Sequence, residues 1–205
     1  MKIVFDFAGV VFHWQPLATL RAAIPHHAPD DERAEHWGRQ IFTGWGGDWG
    51  EFDRGRLDAD ALVVRTAART GLAETDVRAV VDAIPRALRP DPATVALIGD
   101  LRAAGHALYF LSNMPAPYAR HLEAGHPLHE WFDAGLFSAD ARAIKPEPAI
   151  FRAAEQRFGA RGNDLLFLDD VLANVRAAQA AGWRAVQYVD AAQVRRVLAE
   201  HGALG

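Results

Sequence analysis

Cysteine is absent from the 205-residue chain, which excludes disulfides, thiolate catalysis and any cysteine-held zinc. Lysine is almost absent: only Lys2 and Lys145 occur, and arginine carries the rest of the positive charge. There is no run of Lys or Arg and the formal net charge is −4, so neither nucleic acid nor an anionic membrane is an expected partner. No stretch reaches the roughly 18 apolar residues of a membrane span. The apolar run from Ile3 to Phe12 is broken by Asp6 and is followed by no small-residue cleavage site, unlike a signal peptide; a cytoplasmic protein is expected. Repeats and low-complexity segments are missing as well. What is present is ordinary for a globular chain: 50% hydrophobic and 23% charged residues, at a length that suits one large domain or a core with a modest insertion.

Two textures divide the chain. Lys2 to Phe12 reads as a buried strand running into a turn at Ala8-Gly9. From Trp14 to Leu88 the sequence is richer in charge and reads as helices broken by Pro25, Pro29 and a Gly/Trp loop from Gly44 to Gly50. Beyond Pro92 strands and helices alternate. Helices are expected over Ala93–Ala104, around Tyr118–Ala124, and over Pro148–Phe158, Asn174–Ala181 and Ala191–His201. Strands are expected over Ala107–Leu111, Asp164–Leu168 and Arg184–Val189, with a loop around Phe132 and Phe137. The alternation predicts an α/β fold, a Rossmann-like parallel sheet flanked by helices.

Three predicted strands end in polar residues: the first in Asp6, the second in Ser112-Asn113, the third in Asp169-Asp170. Open parallel sheets bind ligands at the carboxyl ends of their strands, so the fold gathers these distant residues. One Asp after a strand is more often a cap or turn residue than a catalyst. Three such ends with Lys145 between the last two form a far more specific pattern. Asp6 and Asp170 are hard oxygen ligands suited to magnesium. Ser112 and Asn113 offer hydroxyl, amide and backbone N–H donors, and Lys145 a point charge, to phosphate oxygens. A nucleophile, a metal and donors on equatorial oxygens are what phosphoryl transfer requires.

The ordered segments Asp6-Phe7-Ala8-Gly9-Val10, Leu111-Ser112-Asn113, Lys145-Pro146 and Leu168-Asp169-Asp170 with Asn174 resemble the four motifs of the haloacid dehalogenase superfamily, over nearly the whole chain. The resemblance implies a discontinuous core, residues 1–13 and 89–205, and a small α-helical cap, 14–88. Asp53-Arg54-Gly55-Arg56-Leu57-Asp58 resembles a cap turn in a bacterial subgroup that includes α-glucose-1-phosphate phosphatases; the last motif resembles the phosphatase domain of soluble epoxide hydrolase. The implied activity is magnesium-dependent hydrolysis of a small phosphate monoester, such as a sugar phosphate. Asp6 would be the nucleophile, forming an aspartyl-phosphate. Asp6, the Ala8 carbonyl and Asp170 would hold the metal. Ser112, Asn113 and Lys145 would bind phosphate, with Asp169 and Asn174 orienting them.

The chain departs from that pattern at Ala8, where most phosphatases of the superfamily carry an acid–base Asp. General acid–base help is worth about 10²–10⁴-fold, so its source matters. His13 is one candidate; a polar residue at the core–cap hinge is the ordinary alternative. Phosphonoacetaldehyde hydrolase also has Ala there but needs a cap lysine, and residues 14–88 contain none. An L-2-haloacid dehalogenase would attack carbon without metal; Asp169-Asp170 argue for metal, while Arg39 offers a carboxylate site or a plain exposed charge. A non-catalytic interaction module is a third possibility, opposed by the retained Asp6, Ser112, Lys145 and Asp170. Trp45 and Trp49 are candidates for substrate contact or cap core, Trp37 for core, Met114 and Tyr118 for the pocket rim, and Arg54 for a substrate contact or a surface charge. His26-His27 read as a solvated loop, and neither they nor His106, His121, His126, His129 and His201 show metal-ligand spacing.

Overall fold

A computed structural model describes residues 1–200, so the end of the last expected helix, with His201, lies outside the described residues. Five parallel strands form one sheet: β1 (Lys2–Phe5), β2 (Ala107–Ser112), β3 (Ala134–Phe137), β4 (Leu165–Asp169) and β5 (Arg184–Gln187), in the order β3-β2-β1-β4-β5. Each strand alternates its side chains between two apolar layers, as a period of two requires. Ile3, Phe5, Leu108, Phe110, Leu166 and Leu168 face one layer. Val4, Tyr109, Leu111, Leu165 and Phe167 face the other, against Phe151 and Trp183. The order reverses at β1, with β2 on one side and β4 on the other. The crevice at that reversal is where such sheets bind ligands.

Between β1 and β2 lie α1 (Pro16–Ala23), α2 (Asp31–Ile41), α3 (Asp48–Asp53), α4 (Ala59–Thr70), α5 (Glu74–Ala87) and α6 (Pro92–Ala103). Carboxylates start three of them: Asp30, Asp58 and Asp91 accept from the N–H groups of Arg33, Ala61 and Ala93 at 2.9, 2.8 and 3.1 Å. Helices α1 to α5 form an insert whose two chain crossings lie side by side, with His13 N–H donating to Arg89 O and Asp91 N–H to Val11 O, both at 2.8 Å. Leu20, Ile24, Val77, Val80 and Ile84 of the insert share one apolar cluster with Phe5 and Phe12, so the insert is packed onto the sheet layer. The later helices are α7 (Ala116–Gly125), α8 (Leu128–Trp131), α9 (Ser138–Ala141), α10 (Pro148–Phe158), α11 (Leu172–Ala180) and α12 (Ala191–Glu200). Among the described residues no helix is long and apolar enough to cross a membrane.

Two local expectations are corrected. The segment expected as a loop around Phe132 and Phe137 contains edge strand β3, paired with β2 from Tyr109↔Ala134 to Ser112↔Phe137. Ala134 and Gly135 carry little strand propensity, and the pairing is tertiary in origin. Asp133 accepts the Leu108 N–H at 2.8 Å, and a Cβ at Gly135 would lie 1.9 Å from the Phe110 ring. Second, the Gly/Trp loop becomes helix α3 from Asp48. Gly50 is required there because a Cβ would meet the Trp45 carbonyl at 2.2 Å.

Candidate active site

The chain leaves β1 through a tight turn. Asp6 N–H donates to Leu168 O at 2.9 Å, the last rung before the turn. The Phe7 carbonyl then accepts from Val10, Val11 and Phe12, and Phe12 O from Gly9, which leaves the Ala8 carbonyl outside the turn's bonding. Gly9 has φ +88, and a Cβ on it would lie 2.5 Å from Asp170 Oδ2. Only glycine admits both the left-handed backbone and so close a carboxylate.

Lys145 ties the strand ends together. Its Nζ lies 2.6 Å from Asp6 Oδ1 and 2.7 Å from Asp169 Oδ2, and its side chain is 1% exposed. Asp169 is held in turn: Oδ1 accepts from Val171 N–H at 2.8 Å, and Asn174 Nδ2 donates to both oxygens at 3.0 and 3.1 Å. Asn113 clamps the Lys145 backbone, donating to its carbonyl at 3.0 Å and accepting its N–H at 2.7 Å. The Asn113 amide expected on phosphate is thus occupied with the chain that carries Lys145. Ser112 Oγ is buried with no partner among the described residues.

Charge is unbalanced here. Burial, with the Asp169 and Asp170 charges, pushes Asp6 up to about 7 although Lys145 opposes it. Burial and Asp169 also raise Asp170. Burial disfavours the Lys145 ammonium, but Asp169 and Asp6 outweigh it and keep its pKa above the ordinary value. Donor atoms of Asp6, Asp169 and Asp170 lie within 4.8 Å of one another, and Asp170 Oδ1 is buried without a partner. Asp169 is consumed by Lys145, Asn174 and Val171. Asp6, Asp170 and the Ala8 carbonyl are therefore the oxygens that could hold a hard divalent cation, and their chemistry fits magnesium.

A cavity of about 170 Å³ opens above these strand ends. Ala8, Asn113 and Met114 contribute from the sheet side, Tyr118 from α7, and Trp14, Trp49 and Asp53 from the insert. Trp49 also packs edge-on against Phe42 at 4.7 Å, so it is both wall and insert core. The other candidates from the sequence lie elsewhere. Trp45 is 45% exposed and does not line the cavity. Arg39 has a 70% exposed side chain paired with Glu35 on its own helix, and so does not reach the cavity. His13 is exposed and lines a separate surface depression with Gln15 and Arg86. Exposed turn residues and cavity residues look alike in sequence. His26 and His27 both turn Nε2 to Asp76, at 3.3 and 3.1 Å, a grouping their spacing did not reveal.

The turn from Asp53 to Arg56 is where the sequence reading fell short. Arg54 is buried, not a surface charge or substrate contact. It donates to Trp45 O at 2.8 Å, pairs with Glu51 at 3.0 Å, and donates through Nε and Nη2 to Glu147, two residues after Lys145. Arg56 reaches Arg142 O at 3.0 Å, and Arg142 reaches back to Gly55 O. Ser138 Oγ donates to Asp53 O at 2.6 Å and accepts the Met114 N–H at 2.8 Å. Gly55, at φ +66, sits where a Cβ would press the Ala139 carbonyl at 3.1 Å.

Residues 3–182 match the family model of the haloacid dehalogenase-like hydrolases. The chain belongs to that family. A sesquiterpene phosphatase of Aspergillus oryzae is 28% identical over 189 residues, 91% of this chain and 89% of that protein. A phosphoglycolate phosphatase of Pectobacterium atrosepticum is 32% identical over 89 residues, 43% of this chain and 38% of that protein. A haloacid dehalogenase-family enzyme of Bacteroides thetaiotaomicron, solved with magnesium and inorganic phosphate, shares the fold at TM-score 0.73 and 17% identity, covering 92% of this chain and 94% of that one. This hydrolase therefore has phosphatases among its relatives, and its strand-end residues are the ones its sequence motifs single out.

Proposed function

We propose that this hydrolase releases phosphate from a small monoester through an aspartyl-phosphate on Asp6, with residues 14–88 serving as the cap. One observation carries the reading. The buried Asp6–Lys145–Asp169 chain is flanked by three buried oxygens with no partner among the described residues, Ser112 Oγ, Asp170 Oδ1 and Asn174 Oδ1. Buried polar atoms are normally paired; among these orphans the Ser112 hydroxyl suits an anion and the Asp170 carboxylate a cation. Magnesium, when held by Asp6, Asp170 and the Ala8 carbonyl, supplies positive charge to the phosphoryl group. Ser112 Oγ and the Asn113 backbone N–H donate to phosphoryl oxygens. Lys145 neutralises the same anion and opposes protonation of Asp6. Asp169, fixed by Asn174, positions Lys145.

The cavity is smaller than the roughly 300–1,000 Å³ typical for drug-sized ligands, and its walls are largely apolar, with the rings of Trp14, Trp49 and Tyr118 beside Ile84, Leu88 and Met114. A compact leaving group with an apolar face suits it. The test is phosphate release from hexose phosphates, 2-phosphoglycolate and short prenyl phosphates, with magnesium and with EDTA. Turnover needing magnesium and lost in Asp6→Asn supports the reading. Silence on all esters, with metal-independent chloride release from 2-chloropropionate, contradicts it.

A further inference from the structure

We propose that Asp53, delivered by the insert, is the acid–base group that position 8 lacks, serving the leaving oxygen and then the attacking water. The assignment rests on the phosphatase reading above. Its basis is placement. Asp53 lines the same cavity as Ala8 and Asn113, on the opposite wall. Its carbonyl is held by Ser138 Oγ, which also holds the Met114 N–H, so one hydroxyl separates the Asp53 backbone from the phosphate-binding loop. The carboxylate itself makes no ion pair or hydrogen bond among the described residues. Its neighbour Arg54 is already spent on Glu147, Glu51 and the Trp45 carbonyl. The cavity offers no other carboxylate.

The charges that act on Asp53 are Arg54 on its own turn and the buried Lys145; the Tyr118 hydroxyl on α7 is coupled to it too and donates to Val81 O at 2.7 Å. Burial outweighs both cations and pushes the Asp53 carboxyl up to about 7, so near neutrality it can both give and take a proton. In the first half-reaction an Asp6 oxygen bonds to phosphorus as the ester P–O bond breaks. The electron pair stays on the ester oxygen, which takes the Asp53 proton and leaves as an alcohol. In the second, the Asp53 carboxylate takes a proton from water while the water oxygen bonds to phosphorus. The Asp6–phosphorus bond breaks, its electrons return to Asp6, and Asp53 is again protonated.

The test compares p-nitrophenyl phosphate, whose leaving group needs no proton, with propyl phosphate, whose leaving group does. Asp53→Asn should lower kcat/KM, which reports the phosphorylation of Asp6, about 10²–10⁴-fold for propyl phosphate and far less for p-nitrophenyl phosphate. In the wild type, propyl phosphate turnover should fall as pH rises through about 7, and that limb should vanish in Asp53→Asn. Ala8→Asp should rescue propyl phosphate turnover in the Asp53→Asn background. If Asp53→Asn does not fold, Asp53→Glu, which keeps the acid, should retain the pH limb. A carbon-13 titration of the metal-free wild type should show a cavity carboxyl, assigned through Asp53→Glu, titrating far above 4. Equal losses of kcat/KM on both esters, a carboxyl titrating near 4, or a wild type that hydrolyses only p-nitrophenyl phosphate would overturn the assignment and leave the phosphatase reading intact. A wild type that hydrolyses neither ester overturns both.

Discussion

Two walls of one cavity are built by opposite means. At the strand ends behind one wall, the parallel ladder places Asp6, Ser112 and Asp169, Asn113 holds Lys145 beside them, and each has a residue type that announces its chemistry. The insert wall places Asp53 and Trp49 through a turn that is docked by Arg54 on Glu147 and by Ser138 on Asp53 O, with Gly55 allowing close approach to Ala139. A backbone ladder fixes position whatever the side chains are, so they are free to do chemistry. A docking turn spends its polar side chains on holding itself in place. The difference teaches where an acid–base group absent from the first wall can come from.

Lys145→Met should break the comparison most severely. It leaves Asp6 and Asp169 buried and uncompensated, which costs about 3–5 kcal/mol in comparable buried pairs, and it should abolish turnover. Chemical denaturation with and without magnesium measures it, and added cation should recover part of the loss. Arg54→Ala comes next. It strips the docking turn of its ties to Glu147 and the Trp45 carbonyl, with an expected cost of about 1–3 kcal/mol and a fall in kcat greater than the effect of Arg56→Ala. Equal effects from the two arginines would mean the turn is not held through Arg54.

Asp53→Asn has a signed pH signature in the metal-free protein. The folded-state carboxyl is raised from 3.8 to about 7, so folding favours its protonated form. That contribution is full below pH 3.8 and is lost as pH rises through 7. Wild-type stability should therefore fall relative to Asp53→Asn between those values; parallel curves would contradict the raised carboxyl. The smallest effects belong to residues the sequence offered and the fold sets aside. Arg39→Ala should stay within about 0.5 kcal/mol and leave kcat/KM unchanged. Trp45→Ala should alter turnover less than Trp49→Ala, measured on the same ester.

Much of the sheet wall was legible before any coordinates. Ile3-Val4-Phe5 and Leu165 to Leu168 are continuous apolar runs that end in carboxylates, and strand-end chemistry follows from parallel topology. Edge strand β3 was not legible, because Ala134 and Gly135 pair only when Phe110 and Asp133 are in place. The Asn113 amide was assigned to phosphate because one sequence cannot show that the Lys145 backbone claims it first. The Asp53–Asp58 turn stood out as a motif, yet nothing local separates Arg54, which is buried, from Arg56, which is half-exposed. Their fates are decided by Glu147 and Arg142, about ninety residues away in the chain.

The central claim is that Asp6 attacks phosphorus. Acid quenching during turnover of p-nitrophenyl phosphate with magnesium, followed by mass spectrometry of the peptides, tests it most directly. The account predicts one phosphoryl group on the peptide bearing Asp6, accumulating further in Asp53→Asn because release of phosphate from Asp6 is slowed. Continued phosphate release with no adduct on that peptide, or an adduct on another residue, would contradict it.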